Sequence, residues 1–124
     1  MPGAHFALTR VRSTLVVTLQ DAADAGTLTA ASQALMEELG QRGAKGVVFE
    51  ISGCEVIDLD EFVALRKLVQ TVEWLGVRSA IAGLRPGIVA YLASAGVPIG
   101  ALRTSLNLEQ ALLDVNRTGA RRRQ

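Results

Sequence analysis

The chain has few of the side chains that enzymes and metal sites use for chemistry. Its 124 residues include one histidine, His5, and one cysteine, Cys54. A single cysteine cannot form an intrachain disulfide or a thiolate metal cluster within one chain. A single histidine near the amino terminus argues against a Ser-His-Asp triad and a histidine-rich metal site. We therefore expect no enzymatic activity, no cofactor and no bound metal.

One carboxylate pair is the strongest argument against that expectation. Asp58 and Asp60 are close enough in sequence to suggest a Mg²⁺ site, because hard cations prefer clustered carboxylates. No third carboxylate in a loop accompanies them, and the chain lacks the GxGxxG and Walker glycine spacings of phosphate-binding loops. The sequence therefore favours a binding protein over a phosphate-transferring enzyme.

Aromatic residues and long apolar runs are also scarce. Aromatic side chains make up 4% of the chain, against 49% hydrophobic and 20% charged residues, so the core must be mostly aliphatic. No apolar run approaches the roughly 18 residues of a membrane-spanning helix. The first residues lack the basic and then apolar pattern of a signal peptide. We expect one cytoplasmic domain that makes no membrane contact.

Charge is unevenly distributed along the chain, although the formal net charge is only +1. Four of the thirteen bases, Arg117 and Arg121–Arg123, lie in the last eight residues. Nucleic-acid binding needs clustered bases on an ordered face, which the mildly acidic remainder of the chain does not offer. The sequence predicts one domain over residues 1–116, a flexible basic tail over residues 117–124, and no nucleic-acid partner.

Hydrophobic periodicity predicts the element order β-β-α-β-α-β-α-(β)-α. The predicted strands are Phe6–Arg12, Thr14–Leu19, Gly46–Ile51, Arg78–Ala82 and a brief one near Ala101–Arg103. The first two form an antiparallel pair, and the nearly continuous apolar character of the third favours parallel neighbours. This pattern predicts an α/β fold with a mixed, mostly parallel sheet of four to five strands, an N-terminal antiparallel strand and about four helices.

Helix starts are marked by capping residues. Asp24 or Thr27 caps the first helix, and Ser105 caps the last. Asp58 caps the longest helix, with Glu61 completing a capping box. The predicted core-facing positions of that helix are Phe62, Leu65, Leu68, Val69, Val72 and Leu75.

Two parts of the sequence resemble a known family. The run Ile57-Asp58-Leu59-Asp60-Glu61-Phe62, preceded by Gly46–Ile51, is similar to the core of a STAS domain, the fold of anti-sigma factor antagonists. The runs Gly83–Val89 and Leu102–Leu112 resemble its stressosome branch. The resemblance implies a non-catalytic regulatory module. Its partners would be a switch serine/threonine kinase or an anti-sigma factor, and other STAS scaffold proteins. Association with further copies of the same chain is a further alternative.

The sequence departs from the family at one position. The resemblance implies a phosphorylated serine or threonine directly after Asp58, where this chain has Leu59. Three interpretations remain open: the acids only stabilise the helix, Asp60 imitates a phosphate, or Leu59 contacts a partner.

The predicted partner-binding surface lies at the start and on the exposed side of the longest helix. Its residues are Asp58, Leu59, Asp60, Glu61, Arg66, Gln70 and Glu73. The alternative function is a STAS accessory module of a transporter that binds a small molecule or a lipid.

Overall fold

The computed structural model describes residues 5–20, 24–97, 99–100 and 102–121, with side chains described up to Asn116 in the last helix. The strands are β1 (Phe6–Val11), β2 (Thr14–Leu19), β3 (Gly46–Glu50), β4 (Arg78–Ala82) and β5 (Thr104–Ser105). The helices are α1 (Ala25–Gln41), α2 (Leu59–Trp74), α3 (Pro86–Ser94) and α4 (Leu108–Arg121). The predicted order of elements is confirmed.

The five strands form one sheet in the order β1-β2-β3-β4-β5. β1 pairs with β2 antiparallel, and all other pairs are parallel. Gly46, at the start of β3, lies opposite Thr14 on one side and Arg78 on the other. The prediction of a mostly parallel sheet with an antiparallel N-terminal strand is therefore confirmed.

The parallel strands define two ends of the domain. β2, β3 and β4 all begin at one edge of the sheet, which we call the amino edge, and finish at the opposite carboxyl edge. Each helix follows a strand and runs back, so the four helices begin at the carboxyl edge. The start of α2, where the sequence predicts partner binding, therefore lies at the carboxyl edge.

The two faces of the sheet carry different helices. Helices α1, α2 and α3 cover one face and enclose a large core that includes Leu35, Phe49, Phe62 and Leu92. Helix α4 covers part of the other face, over Val48 and the alanines of β4. The central strand β3 is thus covered on both faces, which explains its nearly continuous apolar sequence.

The last part of the fold differs from the prediction. The final strand is Thr104–Ser105 rather than Ala101–Arg103, of which Ala101 lies outside the described residues. Ser105 does not cap the last helix, because its hydroxyl donates to Asp114 at 2.8 Å from within the strand. The cap is Asn107, whose Oδ1 accepts from the backbone N–H of Gln110 at 2.9 Å.

The ends of α2 and α4 bear on two other expectations, and the domain boundary at residue 116 stays a prediction. Leu75, predicted to face the core, is 58% exposed, because α2 ends at Trp74 and Leu75 already belongs to the following turn. Helix α4 continues to Arg121, past the predicted domain boundary at residue 116. Residues 122–124 lie outside the described part of the chain, and the flexibility of the basic tail stays a prediction.

Candidate functional site

The start of α2 is fixed by reciprocal hydrogen bonds. The carboxylate of Asp58 accepts from the backbone N–H of Glu61 at 2.8 Å, and the carboxylate of Glu61 accepts from the backbone N–H of Asp58 at 3.1 Å. The predicted capping box is therefore confirmed. Two of the N–H groups that a helix start leaves unpaired are satisfied in this way, so the turn has one defined geometry.

Side chains of this turn alternate between the core and solvent. Ile57 and Phe62 are buried, at 2% and 0% exposure, and they attach the turn to the core. Leu59 is 36% exposed, and Asp58 and Asp60 are exposed as well. The carboxylate of Asp60 makes no hydrogen bond or ion pair with other residues in the described part of the chain. An apolar side chain and two carboxylates are therefore presented together at the carboxyl edge.

The loop between β3 and α2 is held by close backbone contacts. A Cβ atom added to Gly53 would lie 2.4 Å from the carbonyl oxygen of Gln20. Gly83 adopts a φ of +83°, and a Cβ there would lie 2.7 Å from Cβ of Ser52. Cys54 is fully buried within this loop. Glycines at these two positions allow the neighbouring segments to pack against the loop and hold it in place.

A groove runs beside the acidic turn. Its volume is about 610 Å³, and it separates the loop before α2 from the first turns of α3. The lining residues are Glu55, Val56, Ile57, Asp58, Arg85, Gly87, Ile88 and Tyr91. Val56 is 77% exposed and Tyr91 is 48% exposed, so the groove offers apolar surface between the acids and Arg85. We call it the carboxyl-edge groove.

Arg85 is the basic member of this groove. Its guanidinium donates to the backbone carbonyl of Ser52 at 2.9 Å, which fixes the arginine across the loop from Asp58. At the same edge, Asp24 caps α1 by accepting from the backbone N–H of Thr27 at 2.8 Å. The hydrogen bonds from Thr27 hold the pKa of the Asp24 carboxyl below its usual value. The carboxyl edge therefore carries charge of mostly one sign, with Arg85 as a fixed exception.

The remaining predicted site residues lie elsewhere. Arg66, Gln70 and Glu73 line a second groove of about 570 Å³ together with Val69, Trp74, Leu102 and Arg103. Fifteen residues of chain separate Glu73 from Asp58, about 22 Å at the rise of an α-helix. The seven predicted residues therefore form two separate surfaces.

Glu73 is engaged within the domain. Its carboxylate accepts from the backbone N–H of Ser79 at 3.0 Å and pairs with Arg103 at 3.3 Å. These contacts tie the end of α2 to β4 and to the segment before β5. Beside them, Trp74 is 78% exposed, so it does not pack into the core of the domain.

Sequence reasoning missed Val56, Arg85 and the groove that they share with Tyr91. The sequence could have indicated that Val56 is exposed, because an apolar residue directly before the buried Ile57 cannot point into the same core. Arg85 and Tyr91 could not be found, because their proximity to Asp58 depends on how α3 packs beside α2.

Two kinds of site are absent from the described residues. No three side chains of histidine, cysteine, aspartate or glutamate come together there in a way that could hold a metal ion. None of the described helices combines the length and apolar character needed to cross a membrane.

Comparison with known proteins gives matches in sequence and in structure. No protein-family model matches the chain. The chain is 27% identical over 77 residues to the RsbT co-antagonist protein RsbRB of Bacillus subtilis (strain 168). That match covers 62% of this chain and 28% of RsbRB, so the chain spans less than a third of that relative.

Solved structures match over nearly the whole chain. A serine-to-glutamate variant of RsbS from Moorella thermoacetica aligns with a TM-score of 0.81 and 23% identity, covering 93% of this chain and 97% of RsbS. A chain of the stressosome, described as a signal integration and transduction hub, aligns with a TM-score of 0.76 and 22% identity, covering 91% and 98%.

The fold is not confined to such regulators. A sulfate transporter family protein from Wolinella succinogenes aligns with a TM-score of 0.73 and 16% identity, covering 90% of this chain and 92% of that one. At these identities the structural matches establish fold rather than activity. The chain has the STAS fold that its sequence motifs indicated.

Proposed function

We propose that the chain is a non-catalytic regulatory module that acts by holding other proteins, as anti-sigma factor antagonists and stressosome proteins do. The exposed, rigidly capped turn at Asp58–Glu61, next to the carboxyl-edge groove, carries this proposal. The proposed partners are a switch serine/threonine kinase or an anti-sigma factor, and other STAS scaffold proteins, in the cytoplasm.

The chemistry of the carboxyl edge suits such a partner. Val56 and Leu59 supply exposed apolar area, and Asp58 and Asp60 surround it with charge. Protein interfaces commonly combine an apolar centre with a polar rim, and complementary charge accelerates association. We therefore infer that the partner presents an apolar side chain bordered by bases.

Leu59 sets the module apart from a switch that is controlled by phosphorylation. It has no hydroxyl to accept phosphate, and it occupies the first position of α2. Asp60, one residue later, places a carboxylate in the same positively polarised turn, but with less charge than the −1.5 to −2 or so of a phosphate. The proposal is a module held in one binding state, with Asp60 supplying part of a phosphate's charge.

A binding titration tests the docking surface. The chain is titrated with any switch kinase and any STAS scaffold protein that is encoded beside its gene. Val56→Asp combined with Asp60→Lys should weaken the interaction at least tenfold, because it removes apolar area and reverses charge at the rim. Gln33→Lys, on the exposed side of α1, is the matched control and should bind like wild type. Absence of any association, or equal binding by both variants, would reject the site.

A phosphorylation assay tests the assignment of Leu59. The chain is incubated with the kinase, Mg²⁺ and ATP, and intact mass and peptide mapping locate any phosphate. We expect none at the start of α2 in wild type or in Leu59→Ala. Leu59→Ser should gain one phosphate there, because the N–H groups of the helix start stabilise it. Phosphate on this turn in wild type would contradict the proposal.

A second candidate function is a transporter accessory module that binds a small molecule or a lipid. It is supported by the match to the sulfate transporter family protein and by the apolar groove beside Val56. Neighbouring genes separate the two candidates, because a permease gene favours the transporter and kinase or sigma-regulator genes favour the switch module. Absence of any permease gene nearby would count against this candidate.

A further inference from the structure

The two edges of the sheet carry opposite charge. At the carboxyl edge, acids greatly outnumber bases, and Arg85 is the one base that the described residues place there. These acids are Asp24, Glu50, Glu55, Asp58, Asp60, Glu61 and Glu109. The edge therefore presents a negative surface around the carboxyl-edge groove.

Bases prevail at the amino edge. The described bases near this edge are Arg10, Arg12, Arg42, Lys45, Arg78 and Arg103, and the acids are Glu37, Glu38 and Glu73. Glu38 pairs with Arg10 at 2.9 Å and with Arg42 at 3.6 Å. Arg12 and Lys45 are exposed in the loops at this edge. The described bases of the amino edge therefore outnumber its described acids.

The separation of charge is large enough to act between molecules. Helix α2 spans the domain from edge to edge, and its 16 residues extend about 24 Å. Charges this far apart do not neutralise each other, because screening at physiological salt acts over about 8 Å. Helix dipoles favour acids in first turns, but Glu55, Arg12 and Lys45 lie outside the helices. The polarity is therefore not explained by helix stabilisation alone.

Exposed apolar side chains occur at both edges. Val56 and Leu106, at the carboxyl edge, are 77% and 86% exposed. Trp74 and Leu75, at the amino edge, are 78% and 58% exposed. Trp74 lies at the end of α2 and lines the second groove with Arg66 and Arg103, and Val56 lines the carboxyl-edge groove. Each edge therefore combines exposed apolar area with charge of mostly one sign.

We propose that copies of this chain associate head to tail, with Trp74 of one copy entering the carboxyl-edge groove of the next. Arg66 and Arg103, which line the groove beside Trp74, then lie toward Glu55 and Asp58. Arg85 lines the groove that Trp74 enters, so its guanidinium can attract the indole ring. Buried tryptophans are frequent hot spots of protein interfaces. Such an interface leaves one groove and one tryptophan free, so the assembly extends or closes into a ring.

The groove is also the surface assigned to a regulatory partner, and in that respect the inference rests on the proposed function. Self-association and partner binding therefore compete for the groove. The tryptophan belongs only to self-association, so changes at the amino edge separate the two proposals. A variant lacking Trp74 should bind the partner at least as well as wild type does.

Fluorescence and sedimentation test the association directly. Trp74 is the only tryptophan of the chain, so its emission reports burial at the interface. At low salt, increasing protein concentration should shift the emission to the blue and raise the sedimentation coefficient. Both effects should disappear at about 1 M salt, where screening acts over about 3 Å. Emission and sedimentation that do not depend on concentration would overturn the proposal.

Two blocked variants test the direction of the contact. Trp74→Ala with Lys45→Glu blocks the amino edge, and Glu55→Lys with Val56→Lys blocks the carboxyl edge. Each should be monomeric alone, with self-association weakened at least about thirtyfold, as expected for a hot spot. Mixed together they should form a 1:1 dimer and nothing larger, because one retains its tryptophan and the other its groove.

A control variant and a check of folding complete this test. Gln33→Lys, midway along α1, should associate like wild type. All substituted side chains are exposed, and circular dichroism and thermal unfolding verify that each variant is folded. A blocked variant that still self-associates, or a mixture that stays monomeric, would contradict a head-to-tail contact.

Discussion

The two faces of the sheet are packed in different ways. One face is covered by three helices with large side chains, among them Phe49, Phe62, Leu35 and Leu65, all fully buried. In the described part of the chain, the other face is covered by α4, through Val48, Ala80, Ala82, Ala111 and Val115. Small side chains let α4 approach the strands closely, but they bury less apolar area for each residue.

This difference has a consequence for the candidate site. Helix α2 and its acidic turn belong to the larger core, through Ile57, Phe62 and Leu65. The turn is therefore held by most of the apolar burial of the domain, whereas α4 depends on a few close contacts. A docking surface on α2 is therefore preorganised for binding. Helix α4 is the helix that should separate from the sheet most easily.

Phe62→Ala should have the largest effect on stability. The side chain is fully buried one turn after the acidic cap, and its truncation leaves a cavity in the larger core. We expect a loss of about 3–5 kcal/mol in the free energy of unfolding, measured by urea denaturation. Val63→Ala, at the half-buried neighbouring position, should cost much less. Similar losses for both variants would contradict the assignment of the larger core as the main source of stability.

Gly46→Ala tests the smaller face. A Cβ atom at this position would lie 3.0 Å from Cγ2 and 3.2 Å from Cβ of Val115, so Val115 on α4 must give way by a few tenths of an ångström to admit it. Overpacking of this kind costs about 1–3 kcal/mol. Gly40→Ala is the matched control: no atom lies within 4 Å of its added Cβ, and it lies within α1, so it should stabilise by about 0.5–1 kcal/mol.

Two further measurements test whether the stability loss of Gly46→Ala arises at α4. Val115→Ala removes the nearest methyl group, so the double variant should lose less than the sum of the two single losses. Amide hydrogen exchange of Gly46→Ala should accelerate in α4 and change little in α2. Additive losses, or equal acceleration in both helices, would show that the two faces are not independent.

Asp58→Ala compares the cap of α2 with its core. Removal of the carboxylate breaks the bond to the Glu61 N–H, and loss of an N-cap typically costs about 0.5–2 kcal/mol. Asp60→Ala removes a carboxylate of the same turn that makes no capping bond, so its cost should be smaller. Thermal unfolding of both variants measures the difference. An equal cost would show that charge near the helix start matters more than the capping bond.

Some parts of the fold were readable from sequence because local chemistry determines them. The caps at Asp24 and Asp58 were predictable, since a capping side chain bonds within its own first turn. Strands β2 and β4 have the bounds that the sequence predicted, because a short apolar run between two turns has few structures open to it other than a buried strand. Ser105 was misassigned as a cap because its hydroxyl bonds to Asp114, a partner nine residues away that only the packing of α4 brings near.

The candidate site was readable only in part, for a similar reason. The acidic turn is a local feature, whereas the groove beside it requires α3 to lie against the loop at Val56. The periodicity of α2 placed Gln70 and Glu73 on its outer side, but it did not reveal that Glu73 is engaged by Ser79 and Arg103. Long-range contacts of this kind depend on the register of the whole sheet.

The cap of α1 gives the smallest expected effect, which appears as a pH dependence. Because hydrogen bonds from Thr27 lower the pKa of Asp24 in the folded chain, its carboxylate stabilises the fold above its unfolded pKa of about 3.9. That contribution is lost as the pH falls through the lower, folded pKa. Asp24→Asn keeps a capping oxygen without the charge. Unfolding free energies of the two proteins should therefore differ near neutral pH and converge in acid; a difference that stayed constant down to the acid limit would mean that Asp24 acts through its hydrogen bond alone.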